Sequence, residues 1–288
     1  MPDTKILEQW IETDDGLRLY LRSHGRPTEL PPVICLAGLT RNHRDFEAFA
    51  IRLASMEPKR QIICLDSRGR GNSDRDGNIA NYNVWREMLD VVHMLDQMQI
   101  ARADFIGSSR GGLILHFLAQ HRPDVIGKLI FNDIGPRIET AGLQQIKAYL
   151  EAKPALHSFD DCAKWLKTVH GAAFPALEDN DWREMAHAIY RHDAGIFTPD
   201  YDVAIAKQIT AIDFDQPVPD LWPQFQAVTQ FPLLVIRGEN SSLLSDETVS
   251  LLREQHPQCT SLIAENQGHT PLLHIDGVFE ATVAFLNV

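Results

Sequence analysis

The 288-residue sequence has no run of about 18 apolar residues, the length a membrane-spanning helix requires. Positive charge is also short. Lys and Arg total 27 against 39 Asp and Glu, a formal net charge of −12 at pH 7. That balance speaks against sequence-independent binding to nucleic acid or to an anionic membrane, which clustered cations carry. Cysteine is scarce, and Cys35, Cys64, Cys162 and Cys259 form no CxxC pair. Cys35 in "VICLAG" and Cys64 in "IICLDS" lie within apolar runs, where a free thiol behaves as a small hydrophobe. No HExxH occurs among the twelve histidines. The pairs His116/His121 and His187/His192 are spaced too far apart to share a helix face well. No metal and no cofactor are expected. The opening "MPDTKILEQW" carries no apolar h-region, so the expectation is a cytoplasmic protein. A homodimer is compatible with the sequence but not encoded by any feature of it.

What the sequence does contain is alternation. "ILEQWIET" and "LRLYLRSHG" flank Asp14-Asp15-Gly16, which predicts an opening hairpin. Near-continuous apolar runs follow at 32–38, 61–67, 103–109 and 128–134, and again at 232–238 and 260–266. Between them, "FEAFAIRLAS", "VWREMLDVVHMLDQMQ" and "GGLILHFLAQHR" repeat apolar residues at helical spacing. This pattern predicts an α/β fold, a mostly parallel sheet covered by helices on both faces. From 137 to 228 the rhythm breaks. Segments such as "TAGLQQIKAYLEA", "FDDCAKWLKTV" and "DWREMAHAIYRH" read as amphipathic helices, punctuated by prolines at 154, 175, 199, 217, 219 and 223, with no buried strand. Residues 1–136 and 229–288 therefore read as the core, and 137–228 as a helical lid over the carboxyl edge, where open α/β sheets bind ligands. The plain alternative is extra helices that thicken the core.

In "DFIGSSRGGLIL" (Asp104 to Leu115), Gly107-Ser108-Ser109-Arg110-Gly111 fits G-x-S-x-G, with an apolar strand entering and a helix leaving. A tight strand-to-helix turn exposes the central hydroxyl, and the helix N-terminus favours an anionic intermediate. Ser109 is the candidate nucleophile; Ser108, one position off, points away. Two backbone amides are needed for the oxyanion, one from Arg110 and one from Leu39 in "LAGLTRN". "ENQGHTPLLH" supplies His269 after the last strand as general base, with His274 the weaker candidate.

With these motifs in this order, the chain resembles the α/β-hydrolase superfamily over nearly its whole length. "LDSRGRGNSD" (Leu65 to Asp74) is similar to the segment that follows the fourth strand in lid-bearing members. "SSRGG", "FNDIGPRI" and "DLWPQF" resemble a bacterial subgroup of serine esterases and lactonases, some of which act on polyester oligomers. The resemblance implies an eight-stranded, mostly parallel sheet with the lid inserted after the sixth strand. The Gly69-x-Gly71 pair lacks a third glycine and a Walker lysine, so it reads as a tight turn. Ser109 stands where the dehalogenase and epoxide-hydrolase branches carry aspartate.

The third triad member departs from the pattern. The resemblance implies an aspartate where Ser242 stands in "GENSSLL". Three accounts compete: Asp133 in "FNDIGP", at the end of the sixth strand, orients His269; or Ser242 replaces a native aspartate and the enzyme is slow; or Glu239 or Asp246 serves. In the inserted region Trp165, Phe174, Trp182, Phe197, Tyr201 and Trp222 are candidates for roofing the pocket or for packing, and Thr40, Arg41 and Asn42 for its entrance. The function expected is hydrolysis of a small-molecule carboxylic ester or lactone through an acyl-enzyme. Its rivals are carbon–carbon bond hydrolysis of ring-fission diketones and a hydrolase-fold receptor that turns ligand over poorly.

Overall fold

Asp14-Asp15-Gly16, with Gly16 at φ 82°, closes the hairpin of β1 (Ile6–Glu12) and β2 (Arg18–His24). The structure is a computed structural model describing residues 5–216 and 218–287; the first four residues of the opening segment and Pro217, read above as punctuation, lie outside them. β3 (Val33–Leu36) is followed by α1 (Glu47–Ala54), β4 (Ile62–Leu65), α2 (Val84–Gln97), β5 (Ala103–Ser108), α3 (Arg110–His121) and β6 (Ile126–Asn132).

The chain then makes α4 (Thr140–Glu151), α5 (Phe159–His170) and α6 (Asp179–Ile189). α5 starts because the Ser158 hydroxyl accepts the Asp161 amide at 3.0 Å. Asp160 and Asp161 fill its first turn, and Lys167 and His170 its last. The helical reading of "DWREMAHAIYRH" overran: the helix stops at Ile189, and β7 (Tyr190–Asp193) pairs with β8 (Ile196–Pro199). Ala194 and Gly195 between them have φ 48° and 82°, the two left-handed residues a tight hairpin turn demands. After α7 (Lys207–Thr210) and α8 (Trp222–Val228), the sheet resumes with β9 (Leu233–Gly238), α9 (Asp246–Gln255), β10 (Cys259–Ala264) and α10 (Val278–Asn287). Phe225 and Val228 of α8 are buried in the same cluster as α3, so this helix joins the layer against the sheet.

The eight-stranded sheet has the order β1-β2-β4-β3-β5-β6-β9-β10, and β2 alone runs against its neighbours. Alternate residues of each central strand feed opposite layers. Ile34, Leu36, Phe105 and Leu129 pack toward α2 and α3, while Val33, Cys35, Ile106 and Ile130 pack toward α1 and α10. Burial on both faces explains the unbroken apolar runs. Among the described residues no helix is long and apolar enough to cross a membrane.

His116 of α3 lies inside the first layer, stacked on Phe131 with centroids 4.7 Å apart. Its Nδ1–H donates to the Gly112 carbonyl at 2.7 Å, and Nε2 is buried with no partner among the described residues. Burial pushes its pKa down to about 4. Below about pH 6.5 the unfolded chain takes up a proton that the folded one refuses. Stability is therefore full above that pH and falls toward pH 4, by up to about 1.4 kcal/mol per pH unit for this one group. Urea midpoints measured from pH 7 to 4 should decline less steeply in His116→Phe; an unchanged slope would remove His116 as a cause.

Candidate active site

β5 delivers Ser109 to a turn in which it holds φ 51° and ψ −115°, and α3 begins at the next residue. A non-glycine residue pays for this conformation in strain, so the surroundings must enforce it. They do so by close packing. A Cβ on Gly111 would sit 2.1 Å from the Leu36 carbonyl oxygen, and one on Gly112 2.2 Å from Ile134 Cγ2. The elbow closes only with hydrogen at both positions. The Ser109 amide donates to the Asn132 carbonyl at 3.0 Å, fixing the elbow to the end of β6.

Three side chains from three strand ends meet there. Ser109 Oγ lies 2.9 Å from His269 Nε2, and His269 Nδ1 lies 2.7 Å from Asp133 Oδ2. Asp133, fully buried and itself at φ 57°, sits just past β6. Its neighbour Asn132 pairs in register with Ile236 of β9, which brings the carboxylate beside the end of that strand. Oδ1 accepts the Gly238 amide at 2.8 Å, and Oδ2 also accepts the Ser241 hydroxyl at 2.6 Å. A carboxylate holding these donors draws the histidine proton to Nδ1 and leaves Nε2 free to accept from Ser109.

The other candidates for the acid lie elsewhere. Ser242, at the position where an acid is expected, makes no hydrogen bond to His269 among the described residues; its hydroxyl accepts Gln145 Nε2 of α4 at 3.1 Å. Glu239 accepts the Asn266 amide at 2.7 Å, and Asp246 pairs with Arg237 at 3.2 Å. His274 offers its carbonyl to Arg52 and lines an outer pocket. Ser108 accepts from Asn132 Nδ2 at 3.0 Å, and the same amide group donates to the Pro271 carbonyl at 2.9 Å. Ser241 and Asn132 escaped the sequence reading: serine and asparagine in strand-end loops carry no signal apart from the carboxylate or loop they hold.

Leu39 lines the cavity against Ser109, and among the described residues neither its amide nor that of Arg110 has an acceptor. Both residues connect to Glu87, Leu39 through its carbonyl and Arg110 through its side chain. The Leu39 carbonyl accepts Arg70 Nε at 2.8 Å. Arg70 Nη1 reaches Glu87 Oε1 at 2.7 Å, and Arg110 Nε reaches Glu87 Oε2 at 2.7 Å. Burial disfavours the Glu87 charge, but the two guanidiniums override it and hold its pKa below the usual range.

A cavity of about 130 Å³ lies over Ser109 and His269, walled by Ile146, Tyr149, Leu150 and Phe174. Two larger spaces adjoin it, about 410 Å³ toward Trp165 and Ser242 and about 530 Å³ toward Arg44 and His274. Thr40 and Arg41 line the inner cavity, whereas Asn42 is buried and donates to the Ala188 carbonyl at 2.9 Å. Burial works against the Arg41 charge, yet the Asp45 carboxylate, 2.7 Å from Nε, raises its pKa. Of the six aromatics singled out in the inserted region, Phe174 and Trp165 reach a cavity. Trp182 and Phe197 pack among α5 and α6, Tyr201 packs against Tyr82, and Trp222 against Phe225.

Known proteins share this architecture. A family model described as the alpha/beta hydrolase fold matches residues 31–274. The solved structure of an alpha/beta hydrolase from Novosphingobium aromaticivorans superposes with a TM-score of 0.90 at 32% identity, covering 99% of both chains. The 3-hydroxybutyrate-oligomer hydrolase of Cupriavidus necator is 29% identical over 88% of this chain and 87% of its own length. Esterase YbfF of Escherichia coli is 27% identical over 78% of this chain and 82% of its own. Sheet order, strand-end geometry and a match that spans most of the polypeptide lead to one conclusion: this chain belongs to the α/β-hydrolase family.

Proposed function

We propose that this hydrolase cleaves carboxylic esters or lactones through an acyl-enzyme. Ser109 Oγ attacks the carbonyl carbon while His269 Nε2 takes its proton; Asp133 stabilises the imidazolium and holds its tautomer. The Leu39 and Arg110 amides receive the oxyanion, and His269 returns the proton to the leaving alcohol. Water then enters, activated by the same imidazole, and releases the acid. The inserted residues 137–228, apart from α8 which packs on the sheet layer, act as a lid whose α4 and α5 roof the cavity. The observation that carries this reading is the continuous hydrogen-bond chain from Ser109 through His269 to Asp133.

The test is a fluorophosphonate probe. Prompt labelling that disappears in Ser109→Ala is expected; an unlabelled wild-type protein would sink the proposal and favour a receptor role. Short p-nitrophenyl esters assayed beside a ring-fission diketone then separate ester from carbon–carbon cleavage.

Ser242→Asp bears on the acid. Asp133 already holds His269 Nδ1 and Gln145 takes the hydroxyl at 242, so kcat should stay within about threefold. A gain of a hundredfold would reassign the acid to position 242.

A further inference from the structure

His170 ends α5 and presents its ring both to the inner cavity over Ser109 and to the adjoining space of about 410 Å³. Tyr149 of α4 packs on it, with centroids 5.0 Å apart and ring planes at 57°. The inner cavity has other ionisable side chains, and protein groups answer each of them. His269 meets Ser109 and Asp133, Arg41 meets Asp45, and the Tyr149 hydroxyl meets that of Tyr190. His170 is the exception: among the described residues neither ring nitrogen makes a hydrogen bond. Ile146, Leu150 and Phe174, which form the apolar part of the same cavity wall, supply none.

We propose that His170 is a specificity-determining residue that hydrogen-bonds a second oxygen of the substrate, so that the site prefers esters carrying a hydroxyl or a further ester carbonyl near the scissile group. The proposal rests on the ester-cleaving reading above. A polar group facing an apolar space is costly unless water or ligand answers it. Burial, followed by the charges of Arg41 and His269, pushes the His170 pKa down to about 4. At neutral pH the ring is uncharged and offers one donor and one acceptor. A hydroxyl satisfies both, and a carbonyl takes the donor. A carboxylate gains little from a neutral ring, and Arg41 beside it is already balanced by Asp45.

Three esters test this: butyl butyrate, butyl 3-hydroxybutyrate with the added oxygen on the acyl side, and 3-hydroxybutyl butyrate with it on the alcohol side. His170→Phe keeps a ring against Tyr149 and removes both nitrogens; His170→Gln keeps a donor and an acceptor. For one of the hydroxyl esters, the ratio of its kcat/KM to that of butyl butyrate should fall about tenfold in His170→Phe and be largely restored in His170→Gln. The ester affected identifies the side on which the oxygen sits. Unchanged ratios for both hydroxyl esters would overturn the proposal. Binding by calorimetry in Ser109→Ala protein needs no turnover, and the same ester's Kd should rise about tenfold on adding His170→Phe. If Ser109 resists fluorophosphonate while that Kd still rises, the ester-cleaving reading fails and the role of His170 stands. If neither Kd moves, the role of His170 fails whatever the probe shows.

Discussion

Asp133→Asn should lower kcat on the order of 10⁴-fold while leaving the fold intact. The asparagine oxygen can still accept the Gly238 amide, so the strand end keeps its support. Its NH₂ group, however, donates where the carboxylate accepted. His269 Nδ1 must then be the acceptor, and the ring proton moves to Nε2, 2.9 Å from Ser109 Oγ. An imidazole in that tautomer cannot take the serine proton. KM should change far less than kcat, because Asp133 is fully buried and touches no substrate. Single-turnover acylation with unchanged circular dichroism is the measurement, and a loss below about tenfold would remove Asp133 from the proposed mechanism.

Glu87→Gln should cost about 3–5 kcal/mol of stability, because it leaves two buried guanidiniums without their carboxylate. The Arg70 and Glu87 side chains are each 1% exposed, so water cannot take over. Arg110 shares the same carboxylate and already works against the Arg70 charge. Turnover should fall as well, by on the order of 10²-fold, since Arg70 holds the Leu39 carbonyl and thereby the amide proposed for the oxyanion. A triple replacement, Arg70→Met with Glu87→Leu and Arg110→Met, separates the two effects. Apolar groups in place of a buried charged triad restore most of the stability. Without Arg70 the Leu39 carbonyl lacks its donor, so activity should stay low. Urea denaturation beside esterase assays reads both, and a triple variant with full turnover would show that Arg70 does not position Leu39.

Much of the architecture was legible because its strands are buried on both faces. "VICL" and "IICL" cannot be anything amphipathic, and the turn "DDG" names the hairpin before them. The hairpin of β7 and β8 was illegible for the opposite reason. Each strand is four residues long and mostly exposed, so alternation has nothing to register. The elbow was readable through its glycines, each answering a specific clash. Which carboxylate meets His269 was readable only as a choice among accounts, led by Asp133. The choice depends on β6 and β9 lying side by side although residues 133–232 separate them, a fact of sheet order rather than of local pattern. His170 was missed because a histidine at the end of an amphipathic helix ordinarily reads as a favourable helix-terminal charge.

Ser241 and Ser242 turn their hydroxyls in opposite directions, one inward to Asp133 and the other outward to Gln145 on α4. Deleting or inserting a single residue just before them would move both hydroxyls off these partners, loosening the acid and the roof helix in one stroke. In this turn the count of residues is thus under tighter constraint than their identity, and homologues should differ here by substitution far more readily than by a change in length.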